Sequence, residues 1–160
     1  MLKNTKKAKE SKEEELNFQV LDIARVTRVT AGGRRLRFRV AVVGGDLNGR
    51  VGLGLAKAND VRNAIEKAKK KVSKNLISVP IKNETIPFEV QEKYNSATVF
   101  LKPQKKGRGI VAGGAVRVVC ELAGIPNITG KLISKTSNKI NVAKATLMAL
   151  EKLNEFNIKD

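Results

Sequence analysis

This sequence predicts an α+β chain in two small domains, and three observations carry that expectation. Residues 35–43 alternate, with Leu36, Phe38, Val40 and Val42 one way and Arg35, Arg37 and Arg39 the other, the period of a half-buried strand. Glycine-rich breaks, "TAGG" before it and "GGDLNG" after it, supply turns to antiparallel neighbours. Downstream, Val61, Ile65, Ala68 and Val72 recur at spacings of four, three and four, one face of a helix.

Each element follows in order. Residues 1–15 hold five lysines and four glutamates with hardly an apolar side chain, and read as a flexible polar tail. "FQVLDIARVTRV", Phe18 to Val29, is rich in β-branched residues and predicts a first strand. Gly32 and Gly33 are free to take positive φ, so the chain reverses there. In the strand that follows, Leu36, Phe38, Val40 and Val42 face one way and Arg35, Arg37 and Arg39 the other. Asn48-Gly49 makes the next turn, and "RVGLGLA" a third, glycine-softened strand. Asn59 or Asp60 caps a helix running to about Asn75, its other faces carrying Arg62 and five lysines. The first domain, 16–77, is therefore a three-stranded antiparallel sheet backed by a basic amphipathic helix.

At Ser78 the texture changes. "ISVPIKNETIPFEV" carries two prolines in short extended runs, which suits edge strands and a domain boundary. In the second domain, 78–160, "SATVFLKP" is a strand, and "QKKGRGIVAGGAVR" a basic loop leading into a helix from about Gly114 to Ala123, ended by Gly124. "KLISK" reads as a strand. Asn141 caps a last helix through Asn154, with Val142, Leu147, Leu150 and Leu153 as its buried set.

Charge narrows the function. The 160 residues carry 32 Lys and Arg against 15 Asp and Glu, a formal +17. Self-repulsion of that size points to a polyanionic partner. Fourteen cations face four carboxylates between 16 and 77, and thirteen face seven beyond it, so most of the excess sits in the first domain. One cysteine precludes an intramolecular disulfide, and the absence of histidine removes the usual general base and zinc ligand. No apolar run approaches the ~20 residues of a bilayer span, and the first residues resemble neither a secretory signal nor an anchor, so an intracellular protein is expected.

The glycine motifs are weighed by context. "GRVGLG" has fingerprint glycines in reversed order, between turn and strand. "GIPNITGK" resembles a phosphate-binding loop, but the spacing from Gly124 to Gly130 is one residue too long and Leu132 stands where a hydroxyl should hold magnesium. Both read as turns. "KKGRGIVAGGA" differs, because glycine amides beside Lys105, Lys106 and Arg108 at a helix start suit phosphate. Cys120 sits among Val118, Val119 and Leu122 and reads as a buried thiol. Glu89, Glu92 and Glu121 form no pair for acid–base work. No catalytic constellation, cofactor or metal site is expected.

Six arginines lie between Arg25 and Arg39 with no acidic residue among them. Those alternating on one strand face form a row of planar forks about 7 Å apart, suited to phosphates. With five Phe, one Tyr and no Trp, the chain has few aromatic platforms for single-stranded bases, so folded, duplex-like RNA is the better fit. A nucleotide-dependent enzyme and an architectural DNA-binding protein are the rival classes. The expected phosphate contacts are Arg25, Arg28, Arg34, Arg35, Arg37, Arg50 and Lys57 in the first domain. In the second they are Lys105, Lys106, Arg108, Lys135 and Lys139.

Four separated blocks, "VTAGGRRLRF", "GRVGLGLAKANDVRNAIEKAKK", "GRGIVAGGAVR" and "NKINVAKATLMAL", resemble in order and spacing the signature segments of the bacterial small-subunit ribosomal protein S5 family. The resemblance covers about Leu16 to Leu153. It implies an N-terminal domain like a double-stranded-RNA-binding domain and a C-terminal domain with a left-handed βαβ crossover. It implies a non-enzymatic structural protein of the cytoplasmic ribosome that binds small-subunit rRNA and touches ribosomal proteins four and eight of that subunit. It also implies a position near the path by which messenger RNA enters. In that family the glycine hairpin reaches toward the junction of head and body and influences decoding accuracy. Here it maps to Thr30 through Arg35, adding Thr30, Gly32 and Gly33 to the expected RNA contacts. Leu47 and Ala56 stand where the family often has glycine, which places side chains where backbone is expected to approach RNA.

Overall fold

A computed structural model describes residues 16–157, with side chains through Asn154. The expected polar tail, 1–15, lies outside the described residues. The first sheet is an antiparallel meander of β1 (Asn17–Thr30), β2 (Gly33–Gly45), β3 (Arg50–Ala58) and β4 (Leu76–Ser78), in that spatial order. Between β3 and β4 runs α1 (Val61–Lys74). Four strands thus replace the expected three. β4 is three residues that pair with Gly52, Val51 and Arg50, and a run so short carries no period to read.

Helix α1 packs on the face to which Val40 and Val42 point, forming one core with Ala56, Ala58, Ala64, Ala68 and Val72. The expected apolar stripe holds at Ala68 and Val72, whereas Val61 and Ile65 are half-buried and Ala64 turns inward. Small residues on both sides explain that rotation. A Cβ placed on Gly54 would lie 2.1 Å from the Ala68 carbonyl oxygen, so the glycines of "GLG" let strand and helix backbones touch.

The second sheet has β5 (Val90–Tyr94), β6 (Ala97–Pro103), β7 (Ile110–Val111) and β8 (Ile128–Leu132) in the order β5-β6-β8-β7. β7 and β8 are parallel and joined through α2 (Gly114–Leu122), a βαβ unit in an otherwise antiparallel sheet. α3 (Lys139–Asn157) closes the described chain. Two boundaries differ from expectation. The strand expected at "KLISK" is Ile128–Leu132, because Ile128 and Gly130 face inward while Ile133 is exposed. The last helix starts at Lys139 because the Asn138 side chain, not that of Asn141, caps it, its Oδ1 accepting the N–H groups of Ile140 and Asn141 at 3.1 and 3.4 Å. Of the extended runs around Pro80 and Pro87, only β4 and an isolated Lys82–Thr85 bridge pair, since proline offers no N–H.

The two units share a core. Val43, Val51 and Leu53 of the first sheet pack with Val119, Cys120 and Leu122 of α2 and Leu150 of α3. Residues 40–45 of β2 are therefore buried on both faces, where alternation alone predicted one open face. The seam is also hydrogen-bonded. The N–H groups of Leu47 and Gly49 donate to the carbonyls of Leu122 and Ala123, at 3.2 and 2.9 Å, satisfying the C-terminal end of α2.

Candidate nucleic-acid interface

The site begins with register. Residues directly opposite in an antiparallel pair share a sheet face. The pairs Arg28–Arg35, Val26–Arg37 and Arg39–Lys57 therefore put four arginines and a lysine on one face. This is the same face that packs against the second domain at Val43; the cations emerge where that cover ends. Arg28, Arg35, Arg37 and Lys57 line a groove of about 520 Å³, with Val26 and Thr30 among its walls. All four are exposed, and none has a carboxylate partner among the described residues.

The hairpin that carries them is closed by its own side chains. Thr30 Oγ1 donates to the Gly33 carbonyl at 3.1 Å, across a two-residue Ala31-Gly32 loop. Gly33 takes φ +134°, which a side chain resists, and beside Gly32 nothing lies within 4 Å of where a Cβ would sit. Arg25 and Arg34 fall on the opposite face, paired with Phe38 and Val29 and beside exposed Leu36.

Arg50 is placed differently. Its Nε donates to Asp46 Oδ2 at 2.6 Å, and Asp46 Oδ1 accepts the backbone N–H groups of Asn48 and Arg50 at 2.9 Å each. Burial pushes the Asp46 carboxyl up, but these donors outweigh it and hold its pKa below the ordinary 3.8. Arg50 thus braces the turn at the seam. It lies at the other end of β3 from Lys57, seven residues or roughly 23 Å along the strand.

In the second domain, Lys105 and Arg108 are exposed without a carboxylate partner among the described residues, while Lys106 Nζ lies 2.7 Å from Glu84 Oε1. The amides of Gly107 and Gly109 beside them both donate to Asn127 Oδ1 at 3.0 Å, so this loop is anchored on a buried side chain. The Gly113-Gly114 pair at the start of α2 opens instead on a groove of about 500 Å³ whose cations are Lys131 and Lys139. Lys135 is exposed in the loop before α3. Sequence reasoning considered Lys131 only as a nucleotide-loop lysine. The signal available was its alternation with Gly130, which faces in. Arg39 was read on the arginine row but not among the contacts.

Leu47 and Ala56, which stand where the family often has glycine, are placed as follows. Ala56 pairs with Val40 and is buried against α1, and Leu47 sits in the seam with φ +60° and its N–H on Leu122. Ala56 thus lies on the helix-covered face of the sheet, while the Leu47 side chain is exposed in the turn beside the seam.

A fixed array of unpaired cations on a rigid hairpin, flanked by a second cationic groove, defines a polyanion-binding protein. Residues 16–80 match the family model of ribosomal protein S5, N-terminal domain, and residues 92–159 that of ribosomal protein S5, C-terminal domain. The chain belongs to the ribosomal protein S5 family. It is a structural, rRNA-binding protein of the small ribosomal subunit and not an enzyme.

Proposed function

We propose that this protein grips folded small-subunit rRNA through phosphates, and that the hairpin from Thr30 to Arg35 helps hold the head of the subunit relative to its body and thereby supports accurate decoding. The single observation that carries the reading is the groove in which Arg28, Arg35, Arg37 and Lys57 converge with no carboxylate among the described residues to neutralise them. Guanidinium forks at strand spacing match successive phosphates, and the sheet holds their backbone in place, so that only the side chains are left to order on binding. Arg25, Arg34, Lys105, Arg108 and Lys135 extend the contact as separate exposed cations. Arg50, Lys106 and Lys139, each paired to a carboxylate, rank below them. Ribosomal proteins four and eight are the expected protein neighbours, near the messenger RNA path, in the cytoplasm.

The test is binding of the full chain to a folded transcript of small-subunit rRNA across a salt series. Arg35→Gln and Arg37→Gln should each weaken binding and flatten the slope of log affinity against log salt by just under one unit. Arg50→Gln should leave the slope unchanged. Slopes unaltered by both groove variants, or random duplex DNA bound as tightly as the transcript at equal salt, would refute the reading.

A further inference from the structure

The seam between the two domains carries a pair of cations, Arg39, which the rRNA reading leaves unassigned, and Lys139, which it ranks low because a carboxylate engages it. Arg39 Nη2 lies 3.7 Å from Asp22 Oδ2, and Lys139 Nζ lies 3.8 Å from Asp22 Oδ1. Arg39 comes from the first sheet and Lys139 from the first turn of α3, so one carboxylate bridges the domains. The bridge is loose. Arg50–Asp46 and Lys106–Glu84 close to 2.6 and 2.7 Å, whereas both Asp22 contacts stand about an ångström longer. The Arg39 Nε has no hydrogen-bond partner among the described residues. Asp22, Arg39 and Lys139 are 28%, 38% and 59% exposed, so solvent reaches all three.

Position gives the cluster its meaning. Arg39 is the register partner of Lys57, which lines the first groove, and stands two residues along β2 from Arg37. Lys139 lines the second groove together with Lys131. Asp22 is the one carboxylate among the strand residues of that sheet face. An oxyanion held loosely between Arg39, the register partner of a cation in the first groove, and Lys139, a cation of the second, occupies the place a phosphate oxygen would take.

We infer that the Arg39–Lys139 gap is a phosphate subsite spanning the domain seam, in which the Asp22 carboxylate stands in for phosphate until RNA displaces it. The two grooves then form one track for a single stretch of RNA backbone. Asp22 acts as a built-in competitor: a weakly bound polyanion does not dislodge it, whereas a backbone already held by Arg35 and Arg37 does. The inference rests on the rRNA reading above and adds to it the seam and the competitor.

Removing the competitor tests it. Asp22→Asn in the full chain should tighten binding to the folded small-subunit rRNA transcript roughly fivefold while leaving the salt slope close to wild type, because the same phosphates are contacted once Asp22 is displaced. Lys139→Gln, an exposed change that leaves the core intact, should flatten the slope by about one unit. Glu66→Gln, which removes the carboxylate facing Arg62 on α1, should change neither. Weaker or unchanged binding by Asp22→Asn, at a melting temperature near wild type, would overturn the competitor. Should Asp22→Asn fail to fold, an unchanged slope for Lys139→Gln overturns the subsite by itself. If Arg35→Gln and Arg37→Gln also leave the slope unaltered, the rRNA reading has failed; if they flatten it while both seam variants do nothing, only the seam site has.

Discussion

Replacing Gly45 by Ala should strain the joint between the domains more than any change to its neighbour. The added Cβ would sit 2.1 Å from the Leu122 carbonyl oxygen and 2.8 Å from that of Arg50. Real Cβ atoms do not approach within 3.0 Å, so the backbones of β2 and α2 must part by about 0.9 Å, the difference between the two distances. Overpacking of this kind costs about 1–3 kcal/mol. The same displacement stretches the Leu47–Leu122 and Gly49–Ala123 hydrogen bonds, each worth about 1 kcal/mol. The expected loss is about 3–5 kcal/mol, a large share of the ~5–15 kcal/mol that holds a domain folded. Gly44→Ala is the internal comparison. Its Cβ meets only the side chains of Phe18 and Val72, at 2.7 and 2.9 Å, which can shift, so its cost stays at the overpacking cost alone, about 1–3 kcal/mol. Equilibrium urea unfolding of both variants and wild type measures the difference through the midpoint. A Gly45→Ala protein within about 1 kcal/mol of wild type, or no less stable than Gly44→Ala, would show that the seam is not the rigid contact described.

Two further outcomes follow from titratable groups at the same seam. Because the folded-state pKa of Asp46 is depressed, its contribution is fully present above the ordinary 3.8 and is lost as pH falls through the lower folded value. Asp46→Asn should therefore cost roughly 1–3 kcal/mol at pH 7, with the gap to wild type closing in acid below that point; a gap that is constant with pH would refute the assignment. Burial, and secondarily the charge of Glu121, pushes the Cys120 thiol up to about 12. At pH 8 the native protein should react with a thiol reagent roughly a thousandfold more slowly than the urea-unfolded chain, and equal rates would refute its burial.

Much of this molecule was legible in its residues. Alternation fixed which side of β2 carries Arg35, Arg37 and Arg39, because a strand has a period of two whatever it packs against. The net charge and the absence of histidine pointed to a polyanion partner rather than to chemistry, since both follow from composition. The α1 stripe was readable to within half a face; its rotation toward Ala64 was not, because the closest approach is set by Gly54 on another strand. Other features depend on distant segments meeting. Alternation could not show that Val43 is covered by the second domain, nor that Arg50 would be engaged by Asp46 while Lys57 has no carboxylate partner among the described residues. Nor could it bring Asp22, Arg39 and Lys139 together, 117 residues apart at the extremes. Sequence alone settled the number and spacing of cations, because those are local properties of the chain. Which of them face solvent unpaired was decided only by packing, because a carboxylate neutralises whatever the fold sets beside it.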